Sequence, residues 1–298
     1  MVEIHGITHF ELVIRPYLEL IVYLTCVVVS ILAFVPYFKY RKNSNYIGAL
    51  LLFMISCFLC SIIQCVDPTI QVMESNGLKS TFLHNGSKEE YWFFLARTTS
   101  FNFIYVTGTF LALDRVLVLT FPTKYTIRGL QRKCVISAVA MCALTFGFLF
   151  GTHAFVDYTE KENHGHFATE TAVRYVGIMY DIAAPLELFL HLLFCIQYHR
   201  FASRSKNAGF SKANQVTLVQ SISQVIFCIA QKLIHRVNTI FFNSSVAWMF
   251  HVAWYYQLSF AFHILISCFF IAYKLRSMKT VVQVSSSKKH TLYNASKN

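Results

Sequence analysis

The stretch "FLALDRVLVLTFPTKY", residues 110–125, sets an acid beside a base, Asp114 and Arg115, at the end of a long uncharged run. Pro122 comes next among the residues that break the pattern, and Tyr125 follows it closely. Neighbouring side chains on a helix point about 100° apart, so the two charges need not bond each other. Each can meet a different neighbouring helix. A charge at such a seam works as a two-state latch, paired when the helices are together and free for a partner protein when they part. Lipid anchoring by snorkelling accounts for Arg115 but leaves Asp114 unexplained.

A second set of ionisable groups interrupts other apolar stretches: Arg97, then Asp181, Glu187 and His191, then Lys232, His235 and Arg236. Counted inward at about 1.5 Å per residue, Arg97, Asp181 and Arg236 lie about 9–12 Å from the outer ends of their helices. Lys232 lies about 15 Å in, so these four share one layer. Lys232 and Arg236 are spaced i, i+4 and share a face. Charges in a bilayer cost a few kcal/mol each and turn toward a protein interior. The layer is either an ion-pair network, with Arg97 snorkelling outward, or an outward-facing ligand pocket. As a pocket, with His235 beside it, its excess of bases over acid suits a ligand carrying a carboxylate or several hydroxyls. Glu187 and His191 lie deeper, also at i, i+4, spaced for a buried pair.

Catalytic signatures are poor. His5 and His9, and His164 and His166, make no H-E-x-x-H pattern and belong to no larger histidine cluster, so neither an enzyme nor a metal site is expected. No cofactor is expected either. A retinal Schiff base needs a lysine in the last apolar run, 248–273, which has none.

These residues must be positioned by helices. Hydrophobic residues make up 55% of the 298 and charged residues 13%, with a mean hydropathy of +0.49. A soluble domain carries about twice that charge density. Crossing a bilayer takes about 20 apolar residues as a helix, and seven runs qualify: about 18–38, 47–66, 91–121, 134–156, 173–198, 215–242 and 248–273. Backbone amides in lipid must be satisfied within each helix, and the short alternating segments of a barrel are missing. The expected fold is an all-α membrane protein, a seven-transmembrane helix bundle over 1–273 with a basic, Ser-rich tail over 274–298. Residues 1–17 carry no basic cluster, so the first run reads as an anchor that stays rather than a removable signal. The aromatics Trp248, Trp254, Tyr255 and Tyr256 suit an interfacial belt.

Basic residues near helix ends mark the cytoplasmic side. With the N-terminus outside, the inner segments hold Lys39, Arg41 and Lys42, then Lys124, Arg128, Arg132 and Lys133, then Arg200, Arg204, Lys206 and Lys212, and finally the tail from Lys274. The outer segments keep Arg15, Lys79, Lys88, Lys161 and Arg174, and every loop acid. The net charge of +12 then reflects topology and contact with anionic membrane lipid, and no nucleic-acid partner is implied. Asn85, in N-G-S, is the better outer glycosylation acceptor; N-S-S at Asn243 lies close to the membrane. The nine cysteines fall in or at the ends of apolar runs, as small buried hydrophobes do.

An acid–arginine pair at the inner end of the third run, then Pro122 and Tyr125, resembles the D-R-Y…P-x-x-Y segment of G-protein-coupled receptors. The string "TGTFLALDRVLVLTFPTKY" is similar to the nematode serpentine chemoreceptors, class BC above the others. Length, seven runs and a short basic tail extend the resemblance over nearly the whole chain. It departs from rhodopsin-type receptors at Val116, in a sixth run without proline, in a seventh without N-P-x-x-Y, and in lacking the paired outer cysteines. The resemblance implies a chemosensory receptor of the plasma membrane, in a sensory cell or cilium, that binds a small extracellular molecule and activates a heterotrimeric G protein. In that role Arg115 latches the resting state and then faces the G protein, while Pro122 and Tyr125 shape the second cytoplasmic loop. The competing expectation is a transporter of small polar solutes. Internal repeats would favour it, but seven runs do not halve and Pro185 is a lone kink candidate.

Overall fold

The computed structural model describes residues 14–40, 48–78, 88–121, 124–125, 129–160, 185–201, 212–230 and 246–276, leaving aside the side chains at 40, 88–91, 94, 152–160, 212–213, 246–256 and 275. The elements are α1 (Arg15–Tyr40), α2 (Gly48–Ser75), α3 (Lys88–Thr120) and α4 (Leu130–Glu160). After them come α5 (185–201), α6 (Lys212–Gln224), which passes into a π-helical turn at Val225–Ile229, and α7 (Val246–Arg276). Among the described residues there is no strand. Among the described residues, five helices are long and apolar enough to cross a membrane: Arg15–Lys39, Gly48–Ser75, Leu95–Thr120, Leu130–Gly151 and Gln257–Lys274. The chain is therefore an all-helical protein built for a membrane. Of the expected fifth run, residues 173–184 lie outside the described residues, as do 231–242 of the sixth.

Which face of each helix turns inward follows from lipid being as apolar as leucine. Burying more hydrocarbon gains little there, so small and polar residues mark the protein side. On α1 the buried positions are Glu19, Tyr23, Cys26, Ser30, Ala33 and Tyr37, spaced alternately four and three apart. The outward positions carry Ile21, Leu24, Val28, Val35 and Phe38. The inner stripe of α1 meets α7. Tyr23 donates to the Gln257 carbonyl at 3.1 Å, the Cys26 thiol faces the Ala261 carbonyl at 3.4 Å, and Ser30 Oγ lies 3.4 Å from Cys268 Sγ. Pro36 lies inside α1 and Pro68 inside α2, so Pro185 is not alone as a kink candidate.

α2 runs past the expected end near 66 because "DPTIQVMES" keeps good helix formers among its polar residues, and it stops at Ser75. The stop is a Schellman closure. Gly77 sits at φ 79°, its N–H bonds the Glu74 carbonyl at 3.0 Å, and the Leu78 N–H bonds the Met73 carbonyl at 3.0 Å. A side chain at 77 would be strained in that left-handed region. Asp67 and Glu74, expected in an outer loop, are thus helical.

Neighbouring helices pack in order from α1 to α4, and α7 packs on both α1 and α6. α2 also touches α4 and α7, and α3 touches α6. The shared core includes Phe53, Met54, Ile104, Leu111, Phe260 and Ile264, with the Phe101 ring edge-on to Phe260 at 4.5 Å. α4 is largely uncovered, with Ile136, Leu144 and Phe146 outward.

Candidate functional site

At the last turns of α3, Asp114 and Arg115 do bond each other. Arg115 Nη2 donates to Asp114 Oδ2 at 2.7 Å and Nε to the same oxygen at 3.2 Å. Each also meets a different neighbour, as the helical geometry allows. Arg115 Nη1 reaches Asn214 Oδ1 of α6 at 3.5 Å, and the Tyr125 hydroxyl donates to Asp114 Oδ1 at 2.5 Å. One turn beyond, Thr120 Oγ1 lies 2.7 Å from Gln197 Oε1 of α5. This end of α3 is therefore tied to α5, to α6 and to the turn that follows it.

Asp114 is fully buried and Arg115 nearly so. A buried carboxylate persists only when its lone pairs are used, and Arg115 and Tyr125 use them. Tyr125 is placed by a helical turn after α3, in which its N–H bonds the Phe121 carbonyl at 2.8 Å. Burial first, then the bond to Asp114, raises the Tyr125 phenol above the ordinary tyrosine range, so it stays a neutral donor. Pro122 lies outside the described residues.

A second constellation occupies the middle of the α3–α5–α6–α7 contact. Gln220 Nε2 donates to Gln224 Oε1, and Gln224 Nε2 donates to Glu187 Oε1 of α5. His191 Nδ1 pairs with Ser221 Oγ at 2.8 Å, and Ser223 Oγ pairs with His263 Nδ1 of α7 at 2.9 Å. Glu187 and His191, expected as a pair, approach to 3.9 Å, too far for a hydrogen bond. α6 approaches α3 here because residue 108 is glycine. A Cβ on Gly108 would lie 3.0 Å from Gln220 Nε2 and closer still to Gln224 Oε1. The π turn begins at the residue after Gln224, a distortion frequently found beside functional positions.

Arg97 is matched with acid on α2. Its Nη1 donates to Asp67 Oδ2 at 3.0 Å and its Nε to Gln64 Oε1 at 2.9 Å. Asp67 lies on α2 rather than in an outer loop and neutralises Arg97, which is therefore not a surplus cation. Glu19, buried on α1, accepts from Arg15 at 3.0 Å. Asp181, Lys232, His235, Arg236 and Asn85 lie outside the described residues. So do the side chains of Trp248, Trp254, Tyr255 and Tyr256, whose backbones belong to α7. All nine cysteines are free.

Asn214, Gln220, Gln224, Ser223 and His263 are buried polar residues that apolar-run counting passes over. For the four on α6 the signal is present in "NQVTLVQSISQ": uncharged polar residues recur along the segment at spacings of three and four, the mark of an inward face.

No protein-family model matches the chain, and no curated protein matches it.

Proposed function

We propose that this chain is a seven-helix membrane receptor that binds a small extracellular molecule and activates a heterotrimeric G protein, after the manner of the nematode chemoreceptors its third helix resembles. The observation that carries this is the placement of Arg115: bonded to Asp114 on its own helix, it reaches α6, among the described residues, through one long contact to Asn214. Two charge-to-charge bonds hold the pair closed, while one long contact from the cation to a neutral amide spans the seam. Moving α6 away from α3 would break the Asn214 contact first and open a cytoplasmic surface around Arg115.

In this account the N-terminus faces outward and the basic helix ends face the cytosol at the plasma membrane. Lys274 and Arg276 in the last turn of α7 are placed where cations favour a helix C-terminus and meet anionic lipid. The ligand enters from the opposite side, toward Asp181, Lys232, His235 and Arg236. Arg97 contributes through its pair with Asp67 and lends that pocket no net charge. The ligand remains one rich in carboxylate or hydroxyl groups.

The test is a ligand panel on cells expressing the chain, read by G-protein activation, with Arg115→Ala beside the wild type. Arg115→Ala is expected to reach the surface and signal abnormally, either silent or constitutively active. Normal signalling from it would remove the latch. Solute flux into liposomes holding only this protein would replace the receptor with a transporter.

A further inference from the structure

We infer that Glu187 is a proton-binding site whose occupancy sets the orientation of the Gln224 and Gln220 side chains along the α3–α6 seam. The inference stands apart from the receptor proposal and holds for any function of the bundle.

The three side chains form a chain of bonds with one direction. Both amides donate toward Glu187. An ionised carboxylate can only accept, so it compels Gln224 to present its NH2 group, and Gln224 then offers its oxygen to Gln220. The series starts at Gln220, whose own oxygen needs a donor from outside it. That oxygen, Gln220 Oε1, is buried and has no hydrogen-bond partner among the described residues.

Adding one proton from water to the Glu187 carboxylate makes one O–H bond and reverses the chain. The new O–H donates to Gln224 Oε1. The Gln224 amide rotates about its last torsion and donates through Nε2 to Gln220 Oε1. The unsatisfied group becomes Gln220 Nε2, a donor. Unmet polar groups are costly in this low-dielectric interior, so the two amides turn together rather than separately. Both press on Gly108 of α3, and Gln220 stands about 9 Å along α6 from Asn214 at 1.5 Å per residue. A proton in the middle of the bundle thus alters the face that α6 shows to α3 on the Arg115 side.

Two other titratable groups border the site. His191 on α5 keeps its Nε2 3.9 Å from Glu187 Oε1, and His263 on α7 is bound through Nδ1 to Ser223. Among the described residues, α6 presents only amides and hydroxyls at this level. The next ionisable groups along α3 toward the latch are Asp114 and Arg115. A proton on His191 would pair with ionised Glu187 and leave the amides as they are, which separates the two sites experimentally.

The experiment is pH-difference infrared spectroscopy of the full chain in lipid nanodiscs. On acidification the wild type should gain a carboxylic C=O band together with a change in the side-chain amide bands. Other carboxyl groups give bands common to every variant, so Glu187→Gln should gain a smaller C=O band than the wild type and lose the amide change. Gln224→Leu, which keeps the carboxyl group, should retain the C=O band and lose the amide change. An identical difference spectrum in the wild type and Glu187→Gln would overturn the inference, as would imidazolium bands appearing in place of the carboxyl band. So would an undiminished amide change in Gln224→Leu.

Discussion

Arg115 and Asp114 illustrate how a buried pair is held by its surroundings. Asp114 accepts from two residues, so replacing it with Asn keeps a Tyr125 acceptor but leaves the Arg115 cation without a counter-charge. Breaking a buried pair in this way costs about 3–5 kcal/mol. Tyr125→Phe removes one hydrogen bond to a charged group, about 1.5–3 kcal/mol. Asp114→Asn should therefore lower the unfolding temperature in detergent more than Tyr125→Phe does, and the opposite order would contradict the bonding described. Because the Tyr125 phenol is raised in the fold, its contribution is complete below the unfolded tyrosine pKa of about 10 and is lost only as pH climbs through the folded value. Tyr125 should therefore add no pH dependence to stability between pH 6 and pH 8, about the physiological window; a gain in stability with rising pH there that Tyr125→Phe abolishes would show the shift has the other sign. At this scale the Asp114–Arg115 pair was legible, since an acid ending an uncharged run stands out. Its partners were not. Asn214 is far along the chain, and nothing local in the sequence marks which helix comes beside Arg115. The same holds for Arg97, whose counter-ion Asp67 sat in what read as a loop.

The α3–α6 contact depends on one missing side chain. Gly108→Ala places a Cβ against Gln224 and Gln220, whose amides are already engaged, so α6 must move or the bonds to Glu187 must break. Overpacking of this kind costs about 1–3 kcal/mol. Gly147→Ala on α4, where a Cβ meets open space, should leave thermal stability unchanged or slightly improved. Equal losses from the two variants would contradict the close approach at residue 108. Helix existence was readable because each run is long and apolar, but helix ends were less so. α2 continues to Ser75, two residues short of its Schellman glycine, about two and a half turns beyond the apolar signal. Inner faces were hidden for a related reason: hydrophobicity alone does not distinguish lipid from protein neighbours, and the small and polar residues carry that information.

For the molecule as a whole, the asymmetry of basic residues argues for one orientation, with the N-terminus outside. Glycosidase treatment should shift the mobility of the wild type and leave Asn85→Gln unchanged, because Asn85 is assigned to the outer side; an insensitive wild type would argue against that assignment. Charge counting could propose an orientation because it needs only the helix ends, whereas the ligand pocket needs side-chain placement at Asp181, Lys232, His235 and Arg236. The measurement that bears most directly on the receptor account is guanine-nucleotide exchange on heterotrimeric G proteins in membranes carrying the chain without ligand. Asn214→Ala, which cuts the Asn214 contact from Arg115 to α6, should raise exchange above the wild type at equal surface expression. Exchange no greater than in membranes lacking the chain, for the wild type, Asn214→Ala and Arg115→Ala alike, would contradict it.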